Sequence, residues 1–170
     1  SSDDKGISAF NAGTGSTSVS VADVTAAATA VDVSHFGTGQ AAVTVAGAVT
    51  GGEAAITFQS ETGAALTLEE TGSLSGGVDL TAAADTFTDK TATGAFDGVD
   101  GGDGVDTLNC SGTGRTVSGS GADTDAISGF EVFNVNGGGY TFAGTHTGLS
   151  AINFLDGATS LSGSISSTAA

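Results

Sequence analysis

The chain contains no proline, methionine or tryptophan, a single cysteine, a single tyrosine and three basic residues among 170. Each shortage excludes something. Without proline nothing interrupts a backbone ladder, so strands are free to stack along the whole length. With Cys110 alone there is no intramolecular disulfide framework, and its expected place is a small buried site beside Leu108. With so few cations, nucleic acid and anionic membrane surfaces lack the clustered Lys and Arg they require. No apolar run approaches the roughly 18 residues of a membrane span.

Negative charge and glycine fill the space. Nineteen acidic residues leave a formal net charge of −16, and 14 of the acids are Asp. That skew favours turns and cation ligation over solvated helices, because Asp hydrogen-bonds its own backbone whereas Glu is the helix former. Leu, Ile, Val and Phe make up 36 of the 170 residues, close to the level of about 20% below which high charge predicts disorder. The expectation is a chain whose folding depends on neutralising some of its charge.

Short apolar dyads recur between small-residue turns: Val31-Asp32-Val33, Val43-Thr44-Val45, Ile56-Thr57-Phe58, Leu66-Thr67-Leu68 and Val78-Asp79-Leu80, at steps of 12, 13, 10 and 12. Each has the alternation of a strand with one buried face. Strands this short must stack on neighbours to bury anything. The expected fold is all-β, a parallel β-solenoid of the β-roll or β-helix kind; a β-sandwich is the alternative, supported by turn pairs such as Asn136-Gly137 and Asp156-Gly157. Residues 21–170 are expected to form one β-rich, calcium-stabilised domain, with a short helix over Ala22–Ala30. Residues 1–20 carry only Ile7, Phe10 and Val19 to bury, so they are expected to be a loose arm or one that inserts into a partner.

The densest chemistry lies in Phe96-Asp97-Gly98-Val99-Asp100-Gly101-Gly102-Asp103-Gly104-Val105-Asp106-Thr107-Leu108-Asn109, where Asp-Gly-Val-Asp occurs twice. Its second part meets Gly-Gly-x-Gly-x-Asp-x-apolar-x at every defined position, the nonapeptide that holds Ca²⁺ in parallel β-rolls. Glycines turn carbonyls inward, carboxylates supply charge and Leu108 enters the core. Candidate Ca²⁺ ligands are Asp97, Asp100, Gly101, Asp103, Gly104 and Asp106, with Asp123 and Asp125 as a second oxygen cluster. Six Asp between Asp85 and Asp106 face one cation, Lys90, and like charges 5 to 6 Å apart repel by roughly 1 kcal/mol each even in water.

Nothing comparable points to catalysis. His35 and His146 stand far apart in sequence, outside any metal-ligating spacing. Gly119-Ser120-Gly121 lacks the strand-turn-helix setting of a nucleophile elbow. Glu69-Glu70 would point to opposite faces of a strand, and Arg115 is the sole guanidinium. The chain is expected not to be an enzyme.

Together with Ala84-Asp85-Thr86-Phe87-Thr88, Ile127-Ser128-Gly129-Phe130-Glu131-Val132-Phe133-Asn134-Val135 and Thr147-Gly148-Leu149-Ser150-Ala151-Ile152-Asn153-Phe154, the Asp-Gly run resembles the RTX-type proteins that build bacterial S-layers. The resemblance covers about residues 80 to 165, with one complete nonapeptide. It implies a secreted, Ca²⁺-binding β-solenoid that assembles outside the cell, with identical subunits and calcium ions as partners and cell-surface polysaccharide as a further one. The corresponding function is a self-assembling extracellular layer or filament protein. The alternative is a secreted adhesin or carbohydrate-binding module, using Tyr140, Phe142 or Phe154 as stacking platforms.

Overall fold

The structure, a computed structural model, describes residues 4–91, 97–114, 116–119 and 127–155. Every strand pairing among them is parallel. A sandwich joined by hairpins would be antiparallel, so the chain is a parallel β-solenoid. The first coil contains β1 (Ile7–Asn11), β2 (Thr17–Val21) and β3 (Val24–Ala26). The second has β4 (Thr29–His35), β5 (Ala41–Val45) and β6 (Ala48–Gly51); the third has β7 (Ala54–Ser60), β8 (Ala64–Leu68) and β9 (Ser73–Ser75). Next come β10 (Val78–Asp79) and β11 (Thr86–Asp89), then β12 (Val99–Asp100), β13 (Thr107–Cys110) and β14 (Thr116–Ser118). The last described strands are β15 (Ile127–Ser128), β16 (Val132–Val135), β17 (Thr141–Ala143) and β18 (Ala151–Phe154).

Stacking sorts these strands into faces. The first face runs β1-β4-β7-β10-β12-β15 and the second β2-β5-β8-β11-β13-β16-β18; β3-β6-β9, and later β14-β17, form the third side. Successive dyads of the sequence therefore alternate between the first two faces, and two dyads make one coil. Val31 stacks on Ile56 and Val43 on Leu66, which sets coils of 25 and 23 residues.

The core is built from inward files. Ile7, Val31, Ile56, Val78, Val99 and Ile127 line up on the first face. Val19, Val43, Leu66, Phe87, Leu108, Phe133 and Ile152 do so on the second. Burying each larger member contributes about 1.5–3 kcal/mol, and none of Leu66, Phe87, Leu108 or Phe133 is exposed at all. Cys110 is fully buried next to Leu108. On the outside of the second face the file changes along the stack, from Ser20, Thr44, Thr67 and Thr88 to Asn109, Asn134 and Asn153. The three Asn side chains bond in series at 2.9 Å.

One expectation is corrected. The alanine-rich segment Ala22–Ala30 is not a helix: Val24–Ala26 is β3 and Thr29 opens β4. Its β-branched Val24 and Thr25 pair with Val49 and Thr50 of the next coil, and that stacking outweighs the helix propensity of the alanines. The segment expected to act as an arm holds β1 and β2, paired with β4 and β5.

Candidate functional site

The coils turn a corner where the second-face strands begin, and one residue from each coil occupies it: Thr17, Ala41 and Ala64 as first residues of their strands, and Asp85, Asp106, Glu131 and Ser150 just before theirs. From Asp85 onward the carboxylates reach back to the preceding coil. Asp85 Oδ1 accepts the Ala64 N–H, Asp106 Oδ1 accepts the Asp85 N–H at 2.7 Å, and Glu131 Oε2 accepts the Asp106 N–H at 2.8 Å. This satisfies backbone donors at a bend that strand pairing does not reach.

The members of this file differ in how completely they are paired. Asp85, 1% exposed, also accepts the Thr81 N–H at 2.6 Å and the Thr81 hydroxyl. Asp106 is entirely buried, yet its Oδ2 has no hydrogen-bond partner among the described residues. Burial is the main cause that pushes its carboxyl up to about 6; the Asp85 N–H opposes this, and the charges of Asp85, Glu131 and Asp100 add to it.

The glycines of the nonapeptide make room for this carboxylate. A Cβ on Gly101 would stand 2.1 Å from the Gly129 carbonyl oxygen and 3.0 Å from Asp106 Oδ2. Gly104 has φ of 127°, a conformation open to glycine but strained for residues with a Cβ. The motif thus brings the next coil's backbone close to a buried acid.

The other candidate ligands are placed differently. Asp97 Oδ2 accepts the Ser75 hydroxyl at 3.0 Å and the Gly76 N–H at 2.9 Å, tying down a turn of the coil before. Asp100 accepts the Gly102 N–H at 3.4 Å and lies beside Asp79 in register on the outer first face. Asp79, Asp97 and Asp100 border a shallow hollow of about 160 Å³ with Ser128. Asp103 is exposed, while Asp123 and Asp125 lie outside the described residues. Among the described residues no three His, Cys, Asp or Glu side chains are grouped so as to hold a metal.

Elsewhere on the first face, acid is met by base. Asp32, in the same outer file as Asp79 and Asp100, accepts Lys5 Nζ at 2.7 Å and the Thr57 hydroxyl at 2.8 Å. Burial pushes its carboxyl up, but the bonds from Lys5 and Thr57 more than offset that and leave it below the usual range.

Asp85 and Glu131 belong to this site although sequence reading did not choose them. Their signal is the repeated acid-x-apolar-x of Asp85-Thr86-Phe87-Thr88, Asp106-Thr107-Leu108-Asn109 and Glu131-Val132-Phe133-Asn134, which marks one corner position once the coil length is known. Among the aromatics, Tyr140 and Phe142 are fully buried and so cannot serve as stacking platforms, whereas Phe154 is exposed. Phe10 and Phe36 form an exposed, tilted pair with centroids 6.0 Å apart.

No protein-family model, curated protein or solved structure matches this chain.

Proposed function

We propose that the chain is an extracellular structural protein that self-assembles into a surface layer or filament and is stabilised by calcium. The observation that carries the reading is the rim of the first coil. β1, β2 and β3 are the terminal strands of all three faces, and no strand among the described residues pairs with their outer edges. Three parallel edges on one coil offer an array of unpaired backbone groups for another coil to continue. The exposed Phe10 and Phe36 project from the first two coils beside that rim. A contact of this kind is head-to-tail, and head-to-tail contacts that do not close propagate as filaments.

Calcium enters through the corner file. A hard cation favours oxygen donors, and Asp106 Oδ2 is a buried oxygen without a donor, close to the charges of Asp85, Glu131 and Asp100. Asp106 would hold the ion, with backbone carbonyls and water completing its shell; the ion would supply positive charge to a column that has none. The resemblance of the Asp-Gly run to RTX-type S-layer proteins points the same way.

Negative-stain electron microscopy of the purified chain, in millimolar Ca²⁺ and again in EDTA, tests both parts. Ordered sheets or filaments in Ca²⁺ that disperse in EDTA are expected. Monomers in both conditions would overturn the assembly reading, and assemblies indifferent to EDTA would overturn the calcium reading.

A further inference from the structure

A second buried polar group with an unmet hydrogen bond lies in the last described coils. His146, just after β17, is 3% exposed. Its ring stands edge-on to Phe133, with centroids 5.1 Å apart at 86°, and is bonded to the Ala143 backbone. Its Nε2 is buried without a partner among the described residues. The ring helps line a narrow cavity of about 20 Å³ with Ile127, Phe130 and Phe133. From the neighbouring coil, Gly119 packs so closely that a Cβ there would stand 3.0 Å from the imidazole Cε1. His146 is therefore wedged between coils in a setting that offers a positive charge little solvation.

We propose that His146 is an acid-sensitive latch: uncharged, it keeps β14, β16 and β17 packed together, and once protonated it leaves the cavity and lets these last coils open. The inference does not depend on calcium or on assembly. From Ile127 to Leu155 the only carboxylate is Glu131, whose Oε2 is engaged by the Asp106 N–H and whose Oε1 faces Gly148. β14, β15, β16 and β17 bring no charged side chain to the imidazole. His35 provides the internal contrast. It too is fully buried, but Thr17 Oγ1 and the Gly39 carbonyl meet both its nitrogens at 2.8 Å.

The direction follows from linkage. Burial holds His146 below its ordinary value of 6.5, against the Ala143 bond that raises it. The folded state thus prefers the neutral ring, and stability present above about 6.5 is lost as pH falls below it. At pH 5 opening would be favoured up to about thirty-fold over pH 7.5. Asp106, held high, acts in the opposite direction and cannot mimic this.

Hydrogen exchange of the full chain at pH 7.5 and 5.0, corrected for intrinsic rates, tests the latch in the wild type and in His146→Gln. The expected result is a loss of protection of about ten- to thirty-fold on acidification, confined to peptides within residues 116–119 and 127–155 and flattened by His146→Gln. An equal loss in the variant, or one spread evenly to residues 4–68, would overturn it. Should His146→Gln fail to fold, an NMR titration of the wild-type ring decides. Resonances of the closed form that stay unshifted down to pH 5 support the latch, and a reversible titration near 6.5 within the closed form refutes it.

Discussion

The first three coils and the later ones turn the same corner with opposite chemistry. Thr17, Ala41 and Ala64 close it early, and the two alanines are fully buried. Asp85, Asp106 and Glu131 close it later, each accepting a backbone N–H from the coil before. The methyl groups of Ala41 and Ala64 make no polar demand. A carboxylate adds a bond between coils but brings charge into a column where Asp106 Oδ2 finds no donor among the described residues. The early corner thus makes no demand for a counter-charge, whereas the later corner depends on a proton or a cation.

The largest break in this comparison comes from Asp85, the carboxylate with the most donors. Asp85→Ala strips the acceptor from the N–H groups of Ala64 and Thr81 and from the Thr81 hydroxyl, leaving buried donors unmet. It is expected to lower stability by about 3 kcal/mol, measured by urea denaturation. A loss well under about 1 kcal/mol would mean that the acid corner contributes no more than the alanine corner.

Asp106 sharpens the contrast through its sign. Its carboxyl, pushed up to about 6, binds a proton more tightly in the folded chain than in the unfolded one. Its stabilising contribution without metal is therefore full below about pH 4 and is lost as pH rises through 6. Asp106→Asn should remove that dependence and, in EDTA at pH 7, raise stability by on the order of 2 kcal/mol, while abolishing any response to Ca²⁺. Urea midpoints at pH 4.5 and 7, with and without Ca²⁺, are the measurement; an unchanged calcium response in the variant would place the ion elsewhere.

Asp32 shows that the early coils handle acid differently, by pairing it. With its carboxyl held low, its contribution is present above about pH 4 and lost as pH falls below, the reverse of Asp106. Lys5 is over a third exposed, so the pair is partly screened. Lys5→Ala is expected to cost about 1 kcal/mol at pH 7 and clearly less at pH 3, read from thermal midpoints. An equal cost at both pH values would assign the effect to lost packing of the lysine stem.

Much of this architecture is legible in the sequence, because the inward files are made of β-branched and aromatic dyads whose spacing is half a coil. The alternation of Val31, Val43, Ile56, Leu66 and Val78 already contains both faces. The third side is harder to read, since β3, β6 and β9 are three or four residues of Ala, Thr, Ser and Gly with one larger apolar residue each, a pattern that also suits a helix or a turn. The acid corner was half legible: the nonapeptide marks Asp106 and its glycines by local pattern. Asp85 and Glu131 join it only through stacking, a relation across 21 and 25 residues that no local motif encodes.

The smallest effect concerns the outer file of the second face, which changes from Thr to Asn one coil after the corner turns acidic, Thr88 still standing in the Asp85 coil. Asn134 bonds Asn109 on one side and Asn153 on the other, both at 2.9 Å, whereas Thr67 occupies the equivalent position in an early coil. Water can replace part of what a half-buried amide loses, so Asn134→Ala is expected to cost about 0.5–1 kcal/mol, and Thr67→Ala less. Paired denaturation curves decide between two origins. If the asparagine variant costs clearly more, the later coils gain side-chain bonds between rungs that offset part of the charge in their corner. If both variants cost the same, the asparagine bonds contribute nothing net, and the later coils rely on the corner carboxylates and what neutralises them.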